Sequence, residues 1–505
     1  MSAESTSPVT QAPAPAVSAR RVAVVDVGSN SVRLVVYDRV GRTPLPLFNE
    51  RLMCGLGRGL SESGRLDPEA VERALGALSR FAGLIRAMRV EHVDAVATAA
   101  TREASDGGAF VQRIEQTCGL RVRVLDGTDE ARYSALGVLA AAPKAAGLMA
   151  DLGGGSLELV RLAGEAEADD GATLPLGPLR LNLPPGTPAG RAAPAIAAAL
   201  ATVPWLELTA RQDLYVVGGA WRAIGHMEMR RNDYPLHVLQ GLAVEAERMR
   251  DIAAAIAGMS RASLQQVEGI SNERIAVLPL AAQILRQLID TARPRRVIFS
   301  AYGLREGLLY DQLPPEVRRQ DPLIAACQAI AETSARFPDQ SAALMRWTEP
   351  LFPEESAAAR RLRQAAALLC DSGWRTHPDY RAEQAFLDVA RGPIVGLDHN
   401  ERARLALMVY ARYSKQRPSG QIARILELMS AAEAAQASQV GLALRLALTI
   451  SGGVATLLQG IAIYREADRL VLRAEPGAGH LIGHVVQRRL EALARSMELA
   501  AKVAA

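Results

Sequence analysis

A turn rich in glycine and serine occurs twice in this chain, each time between an apolar run that ends in an aspartate and an alternating strand. In the first copy Asp26 precedes the turn at residues 28–31, and in the second Asp151 precedes the turn at residues 153–156. Each copy predicts a β-hairpin, because glycines permit a tight connection between two strands. A strand-turn-strand unit that recurs at this separation predicts two similar lobes with a ligand cleft between them.

The residue types in both turns suit phosphate binding. Glycine turns present inward N–H groups, hydroxyl and amide side chains add neutral donors, and an aspartate at a strand end can hold a cation. A single glycine turn is more often only a strand connection, and it is the recurrence that favours a binding role. We therefore predict Mg²⁺ or another divalent cation at Asp26 and Asp151, with these phosphate ligands in the turns: Ser29, Asn30, Ser31, Gly153, Gly154, Gly155 and Ser156.

The composition indicates a soluble protein of several domains. The chain has 505 residues, 49% of them hydrophobic, which is enough for several cores. Its 58 Lys and Arg barely exceed its 54 Asp and Glu, so the charge predicts no nucleic-acid partner. The four cysteines form no C-x-x-C pair, which suits a reducing cytoplasm. The apolar segment 440–458 contains Arg445 and a Gly-Gly pair, so we expect a buried helix and no membrane span.

Changes in pattern along the chain predict four segments. Residues 1–20 have the composition of a disordered leader, residues 21–138 form a first α/β lobe, and residues 139–311 form a second. Residues 312–505 change to long helical patterns, with the last strands expected around 461–473. The helix expected at 66–88 has a credible start at Asp67-Pro68-Glu69.

Five blocks resemble, in order and spacing, the exopolyphosphatase and guanosine pentaphosphate phosphohydrolase (Ppx/GppA) family of the sugar kinase and actin superfamily. The blocks are Asp26–Ser31, Ala99–Glu103, Asp126–Arg132, Asp151–Glu158 and Gly303–Gly307. The resemblance implies an α/β fold with two actin-like, ribonuclease-H-like lobes and a C-terminal, mostly helical, HD-like region. It also implies a divalent cation, a homodimer, and as substrates inorganic polyphosphate or guanosine penta- or tetraphosphate.

The resemblance gives Glu130 the role of general base and Glu158 that of an acidic partner. Hydrolysis of a phosphoanhydride needs a base within reach of water, and donors for the charge on the transferring phosphoryl group. Asp129 is a local competitor, and an acid at a helix start also serves as a cap. Arg102 resembles the family's phosphate-binding arginine, the alternative being an ion pair with Glu103.

Two departures from the family pattern and one group of arginines bear on function. Gly218 and Gly219 keep a turn that can bind phosphate, but the Trp221 that follows is expected to narrow the site. The His-Asp pair of an HD domain reads Cys370-Asp371, which makes that region degenerate and argues against a metal centre there. Arginines in the helical region suggest a channel for a long anionic chain, although an arginine-rich helix is usually only a solvated face: Arg360, Arg361, Arg363, Arg402, Arg404, Arg412 and, with them, Lys415.

Together these patterns predict an exopolyphosphatase that releases orthophosphate from the end of inorganic polyphosphate. Guanosine pentaphosphate phosphohydrolase activity is the alternative within the enzymes. A non-catalytic sensor of polyphosphate or alarmone is disfavoured by the presence of both Glu130 and Glu158, and a sugar kinase by the Asp-Glu-Ala-Arg block.

Overall fold

Three β-sheets organise the part of the chain that the structure describes. The computed structural model describes residues 20–164, 168–184, 186–269 and 271–504, so residues 1–19 of the predicted leader lie outside the described residues. The strands are β1 Val22–Val27, β2 Ser31–Tyr37, β3 Pro46–Met53, β4 His92–Ala97, β5 Val122–Val124, β6 Ala146–Leu152, β7 Leu157–Ala163, β8 Ala168–Leu174, β9 Asp213–Val217, β10 Ala243–Glu245, β11 Arg296–Phe299, β12 Ile461–Glu466, β13 Arg469–Ala474 and β14 Ala500–Ala504.

The first two sheets repeat one topology. The first has the order β3-β2-β1-β4-β5 and the second the order β8-β7-β6-β9-β11, with β10 added at the edge. In each, three antiparallel strands come first in the chain, and two further strands pair in parallel beside the first of them. The predicted pair of actin-like lobes is therefore confirmed, with both hairpins at corresponding places.

The strands β1 and β6 lie at the centre of their sheets, where both faces are covered. This explains why they are continuous apolar runs, such as residues 22–25, which are fully buried. The helices are α1 Leu60–Ser63, α2 Pro68–Ala87, α3 Ala99–Glu103, α4 Gly107–Cys118, α5 Gly127–Ala141, α6 Pro178–Leu181, α7 Ala193–Leu200, α8 Gly219–Arg231, α9 Ala246–Ala257, α10 Arg261–Gln265, α11 Asn272–Ala292, α12 Leu304–Asp311, α13 Pro315–Arg318, α14 Pro322–Ser334, α15 Ser341–Thr348, α16 Ala357–Leu369, α17 Arg381–Arg391, α18 His399–Tyr413, α19 Gly420–Ile425, α20 Ala431–Ser451 and α21 His484–Ser496.

Two helices cross between the lobes. The helix α5 follows the first sheet in the chain but packs on β6, β7 and β8, whereas α12 follows the second sheet and packs in one apolar cluster with residues of β1 and β2. The helices touch at glycines, since a Cβ on Gly137 would overlap the carbonyl of Gly303 and one on Gly307 that of Tyr133. Each of these two helices therefore packs against the sheet of the other lobe, and these contacts hold the two lobes together beside the cleft.

The C-terminal region is mostly helical, as predicted. Its core is built from α14–α21 together with β12 and β13, and it also takes in Leu236 of the second lobe. The small sheet β12-β13-β14 lies at its end, so the expectation that strands end near residue 473 is wrong. Strand β14 is mostly exposed and consists of Ala-Ala-Lys-Val-Ala, so it carries little of the alternating pattern that marks a strand.

The buried helix expected within the segment 440–458 is present as far as Ser451. The segment lies partly in α20, most of whose second half is buried in the C-terminal core. Among the described residues one helical stretch, Arg274–Ala292 in α11, is long and apolar enough to cross a membrane by composition. That helix packs against α8 and α9 in the core of the second lobe, which accounts for its apolar character.

Candidate functional site

The two glycine turns face each other across a cleft of about 200 Å³ between the lobes. Gly154 and Gly155 lie against Ser29 of the opposite turn, since a Cβ on Gly155 would stand 3.0 Å from the Ser29 hydroxyl. The close approach of the two loops therefore favours glycine at positions 154 and 155. Their φ angles lie outside the left-handed region.

The backbone of both turns is oriented for an anion. The carbonyls of Ser29 and Asn30 accept bonds from the amides of Gly57 and Cys54, and those of Gly154 and Gly155 accept from Leu179 and Gly177. Because N–H and C=O of a trans peptide point in opposite directions, the amides of the following residues point the other way. They belong to Asn30, Ser31, Gly155 and Ser156, which line the cleft.

Strand register gives the two hairpins opposite charges at matching positions. Asp26 pairs across its hairpin with Arg33, whereas Asp151 pairs with Glu158. The same seven-residue spacing thus places a cation on one wall of the cleft and a second acid on the other. All four side chains line the cleft.

Glu130 enters the cleft from the first turn of α5. Asp126 caps this helix by accepting the amide of Asp129 at 2.7 Å, and the helix N-terminus favours a nearby carboxylate. The Glu130 side chain is buried and accepts a hydrogen bond from Arg102 Nη1 at 3.0 Å. Asp129 instead lies on the surface, 3.7 Å from Arg123. Of the two candidate bases, only Glu130 lines the cleft.

Arg102 stands behind Glu130. The same Nη1 atom also donates to the carbonyl of Leu125 at 2.8 Å, which fixes the guanidinium beside the Glu130 carboxylate. Its ion-pair partner is therefore Glu130, while Glu103 pairs with Arg180 of the second lobe. Of the predicted site residues, Arg102 is the one outside the cleft lining.

Burial sets the protonation of the acids. Desolvation raises the pKa of Glu130 to about 7, against the lowering effects of the Arg102 hydrogen bond and charge. Desolvation also raises the pKa of Glu158 well above its usual range, and the neighbouring charges of Glu130 and Asp151 add to it. The pKa of Asp151 is raised by its burial too, although Ser134 donates a 2.6 Å hydrogen bond to it. Because these acids are buried close together, their negative charges repel one another, and either protonation or a bound cation relieves that repulsion.

The acids of the cleft can supply some ligands of a Mg²⁺ site, but substrate phosphates or water must supply the others. In the described part of the chain, no three His, Cys, Asp or Glu side chains converge closely enough to hold a metal. Asp26 is already paired with Arg305 at 3.2 Å, whereas Glu158 Oε1 is buried without a hydrogen-bond partner in the same ranges. Asp151 and Glu158 are thus better placed than Asp26 to offer oxygens, and Mg²⁺ commonly takes few carboxylates plus substrate phosphates.

The third glycine turn closes one end of the cleft. Gly218 has a φ of 111°, and a Cβ there would overlap the Leu152 carbonyl, so the position requires glycine. The helix α8 begins at Gly219 and points its N-terminus at the cleft. The expectation that Trp221 narrows the site is wrong, because Trp221 is fully buried and donates its Nε1–H to the Ala281 carbonyl.

Sequence reasoning missed five arginines that line the cleft: Arg33, Arg51, Arg222, Arg274 and Arg305. Three had a usable signal, since Arg33 stands in its hairpin at the position that Glu158 has in the other, Arg222 directly follows Trp221 after the third glycine turn, and Arg305 lies within the block Gly303–Gly307. Arg51 and Arg274 come from a strand edge and from α11, and nothing in their local sequence marks them. Desolvation lowers the pKa of Arg33 and of Arg222 to about 10, which leaves both charged at neutral pH.

The degenerate HD position is occupied by an ion pair. Asp371 is fully buried and is held by Arg336 at 2.6 Å. A cation is thus already supplied where a metal would be expected. The channel hypothesis is wrong for at least two arginines, because Arg363 and Arg402 are buried at 0% and 1% exposure. Arg363 pairs internally with Glu355, and Arg402 donates to backbone carbonyls.

Comparison with known proteins places these features in context. The model of the Ppx/GppA phosphatase family matches residues 35–316, and that of the exopolyphosphatase C-terminal domain matches residues 323–503. Exopolyphosphatase 1 of Mycobacterium leprae is 27% identical over 64% of this chain and 97% of its own length. The guanosine-5'-triphosphate,3'-diphosphate pyrophosphatase of Aeromonas salmonicida is 27% identical over 70% of this chain and 72% of its own. A crystal structure of an exopolyphosphatase from Cytophaga hutchinsonii shares the fold, with a TM-score of 0.54 and 24% identity over 58% of this chain and 97% of that one.

Proposed function

Because the chain belongs to the Ppx/GppA phosphatase family, we propose that it hydrolyses the terminal phosphoanhydride bond of inorganic polyphosphate and releases orthophosphate. The observation that carries this choice is the cleft lining. It combines three glycine turns with five arginines, and among the described residues it contains no aromatic side chain or histidine. A linear chain of phosphates needs cations and amides, whereas a nucleobase is commonly held by stacking on an aromatic ring.

In this proposal Glu130 is the general base. A pKa near 7 keeps a large fraction of the carboxylate ionised at neutral pH while leaving it basic enough to take a proton from water. Arg102 orients that carboxylate. The turn amides and the hydroxyls of Ser29 and Ser156 bind the terminal phosphoryl oxygens, whose charge grows as the bond breaks.

The cation and the remaining arginines serve charge neutralisation. Mg²⁺ held by Asp151 and Glu158 would supply positive charge to the phosphate oxygens and lower the pKa of both carboxyls. Arg33, Arg222 and Arg305 line the rest of the cleft, where they would contact phosphates further along the chain. All four cysteines are buried free thiols, in keeping with a proposed cytoplasmic location.

Guanosine pentaphosphate hydrolysis remains the second candidate, because a relative of equal identity carries a guanosine-phosphate pyrophosphatase name. The test measures orthophosphate release from long-chain polyphosphate and from guanosine pentaphosphate by the same full-length protein. We expect the higher kcat/KM with polyphosphate. A higher kcat/KM with guanosine pentaphosphate would overturn the substrate assignment.

A pair of neighbouring variants tests the base within the same assay. Glu130→Gln preserves shape but removes basicity, so turnover should fall at least about 10²-fold. Asp129→Asn is the matched control, because that side chain is on the surface beside Arg123, and turnover should stay within about twofold of the parent. Near-normal turnover in Glu130→Gln would reject Glu130 as base.

A further inference from the structure

Gln240 of the second lobe contacts both the cleft and the C-terminal region. Its side-chain Oε1 accepts a 2.8 Å hydrogen bond from the amide of Ala301, which lines the cleft. Its backbone carbonyl lies 3.2 Å from Nε2 of His399 at the start of α18. The next residue, Gly241, has a φ of 83°, and a Cβ there would stand 3.2 Å from the carbonyl oxygen of Leu397. The C-terminal region therefore packs directly on the segment that holds Ala301.

Ala301 belongs to the short loop that joins β11 to α12. Its carbonyl accepts a hydrogen bond from Arg222 Nη1 at 3.4 Å, so both polar backbone groups of Ala301 are bound by side chains. The loop also borders Asp151, because a Cβ on Gly303 would stand 3.7 Å from Asp151 Oδ2. Arg305 follows the loop in the first turn of α12 and lines the cleft. The position of this β11–α12 loop thus affects two arginines and one acid of the cleft.

Other hydrogen bonds of the β11–α12 loop leave its middle residue to Gln240. The Ser300 amide donates to the Val216 carbonyl at 3.0 Å, which fixes the start of the loop on β9. The Ser300 hydroxyl donates to the Tyr302 carbonyl at 2.8 Å and accepts the Tyr302 amide at 3.2 Å, which closes a turn within the loop. These bonds do not involve the peptide groups of Ala301, which are held by Gln240 and Arg222.

We propose that Gln240 is a positioning residue through which the C-terminal region sets the place of the β11–α12 loop in the cleft. His399 holds the Gln240 backbone, the Gln240 side chain holds the Ala301 amide, and the Ala301 carbonyl holds Arg222. Without the Oε1 acceptor, the Ala301 amide loses this partner in a partly buried place, and the loop must move to find another. The positioning of the loop rests on these contacts, and its effect on substrate binding rests on the proposed function.

Amide hydrogen exchange in the full chain tests the contact between Gln240 and the loop. Gln240→Leu removes the acceptor with a side chain of similar size, so exchange at Ala301 should become about tenfold faster. Gln240→Glu keeps an acceptor oxygen and should restore the protection. Gln328→Leu is the matched control, because Gln328 is exposed on α14 and its side chain donates only to Glu332. If Gln240→Leu does not fold, Gln240→Ala removes the same acceptor, and unchanged exchange at Ala301 in the folded variant would overturn the proposal.

Steady-state kinetics with polyphosphate give a second readout in the same proteins. Arg222 is expected to hold phosphates alike in the ground state and the transition state, so displacing it in Gln240→Leu should raise KM roughly fivefold or more and change kcat less. Gln328→Leu should keep both values of the parent. A KM equal to the parent's in Gln240→Leu would overturn the proposal. A parent without activity on polyphosphate would instead refute the proposed function, and the exchange at Ala301 would still decide the role of Gln240.

A double-mutant cycle tests whether the C-terminal region acts through Gln240. His399→Phe keeps an aromatic ring but removes the N–H that faces the Gln240 carbonyl, so it should raise both KM and the exchange rate at Ala301. His399→Gln keeps a donor and should stay near the parent. If His399 acts through Gln240, adding His399→Phe to Gln240→Leu should have no further effect on either quantity. Additive effects in the double variant, or parental values in His399→Phe, would overturn the link to the C-terminal region.

Discussion

The Glu130 carboxylate is subject to two opposing influences, and Arg102 is the side chain through which they can be separated. Burial raises the pKa of Glu130, while the Arg102 hydrogen bond and charge lower it. As the base must be ionised, kcat/KM should rise with pH over a limb near pH 7. Arg102→Gln removes the lowering influence, so the limb should move to higher pH.

A pH profile of kcat/KM for parent and variant measures this shift. Arg113→Gln serves as the control, since Arg113 is an exposed arginine of the same lobe paired with Glu72, and its profile should match the parent's. A limb that stays in place, or moves to lower pH, in Arg102→Gln would show that Arg102 does not tune the base.

At the scale of single residues, a cleft residue could be predicted where it belongs to a recognisable local sequence pattern. Turn glycines, strand-end aspartates and Glu130 carry such local patterns, and the structure brings them to one cleft. Arg51 and Arg274 reach the same cleft through tertiary packing, Arg51 from the edge strand β3 and Arg274 from the start of the apolar helix α11, and no local motif marks either position. Trp221 shows the opposite failure, because its side chain turns into the core although its neighbour Ala220 lines the cleft.

At the scale of elements, the crossing of α5 and α12 depends on glycine. Gly307→Ala would force a methyl group into the Tyr133 carbonyl, so the helices must separate, and unfolding free energy should fall by about 1–3 kcal/mol or more. Gly108→Ala in α4 is the matched control, because its added Cβ meets nothing within 4 Å. There we expect a gain of about 0.5–1 kcal/mol, and denaturant unfolding measures both. Equal effects of the two substitutions would contradict the close crossing.

The pattern of apolar residues predicted most of these elements but not where the crossing helices pack. The helix expected at 66–88 is α2, with Asp67 as the cap that accepts the Ala70 amide at 2.7 Å. In contrast, α5 is mostly buried around its circumference, so its sequence gives no single apolar face to indicate a partner. Short edge strands such as β10 and β14 were missed because three to five residues carry too little periodicity.

On the scale of the whole molecule, one histidine joins the second lobe to the C-terminal region. His399 at the start of α18 lies 2.8 Å from the Tyr234 hydroxyl through Nδ1 and 3.2 Å from the Gln240 carbonyl through Nε2. A carbonyl only accepts, so Nε2 carries a proton. Burial together with Arg402 lowers the pKa of His399 to about 4, so the ring is neutral near pH 7 and Tyr234 donates to Nδ1.

This geometry makes the junction sensitive to acid. The pKa of His399 is about 4 in the folded chain and about 6.5 in the unfolded chain. Between these two pH values the unfolded chain therefore binds more protons than the folded chain. The stability that neutral His399 contributes is lost as pH falls from about 6.5 to 4. The full loss is on the order of 3 kcal/mol. His399→Gln keeps a donor and an acceptor without a titrating group, so its unfolding free energy should fall less between pH 7 and 5 than the parent's. The matched substitution His480→Gln, at an exposed histidine of the same region, should leave the parent's slope unchanged. Equal slopes in parent and His399→Gln would mean that the junction does not depend on a neutral His399, and that the two parts are held by the apolar contacts around Leu236 instead.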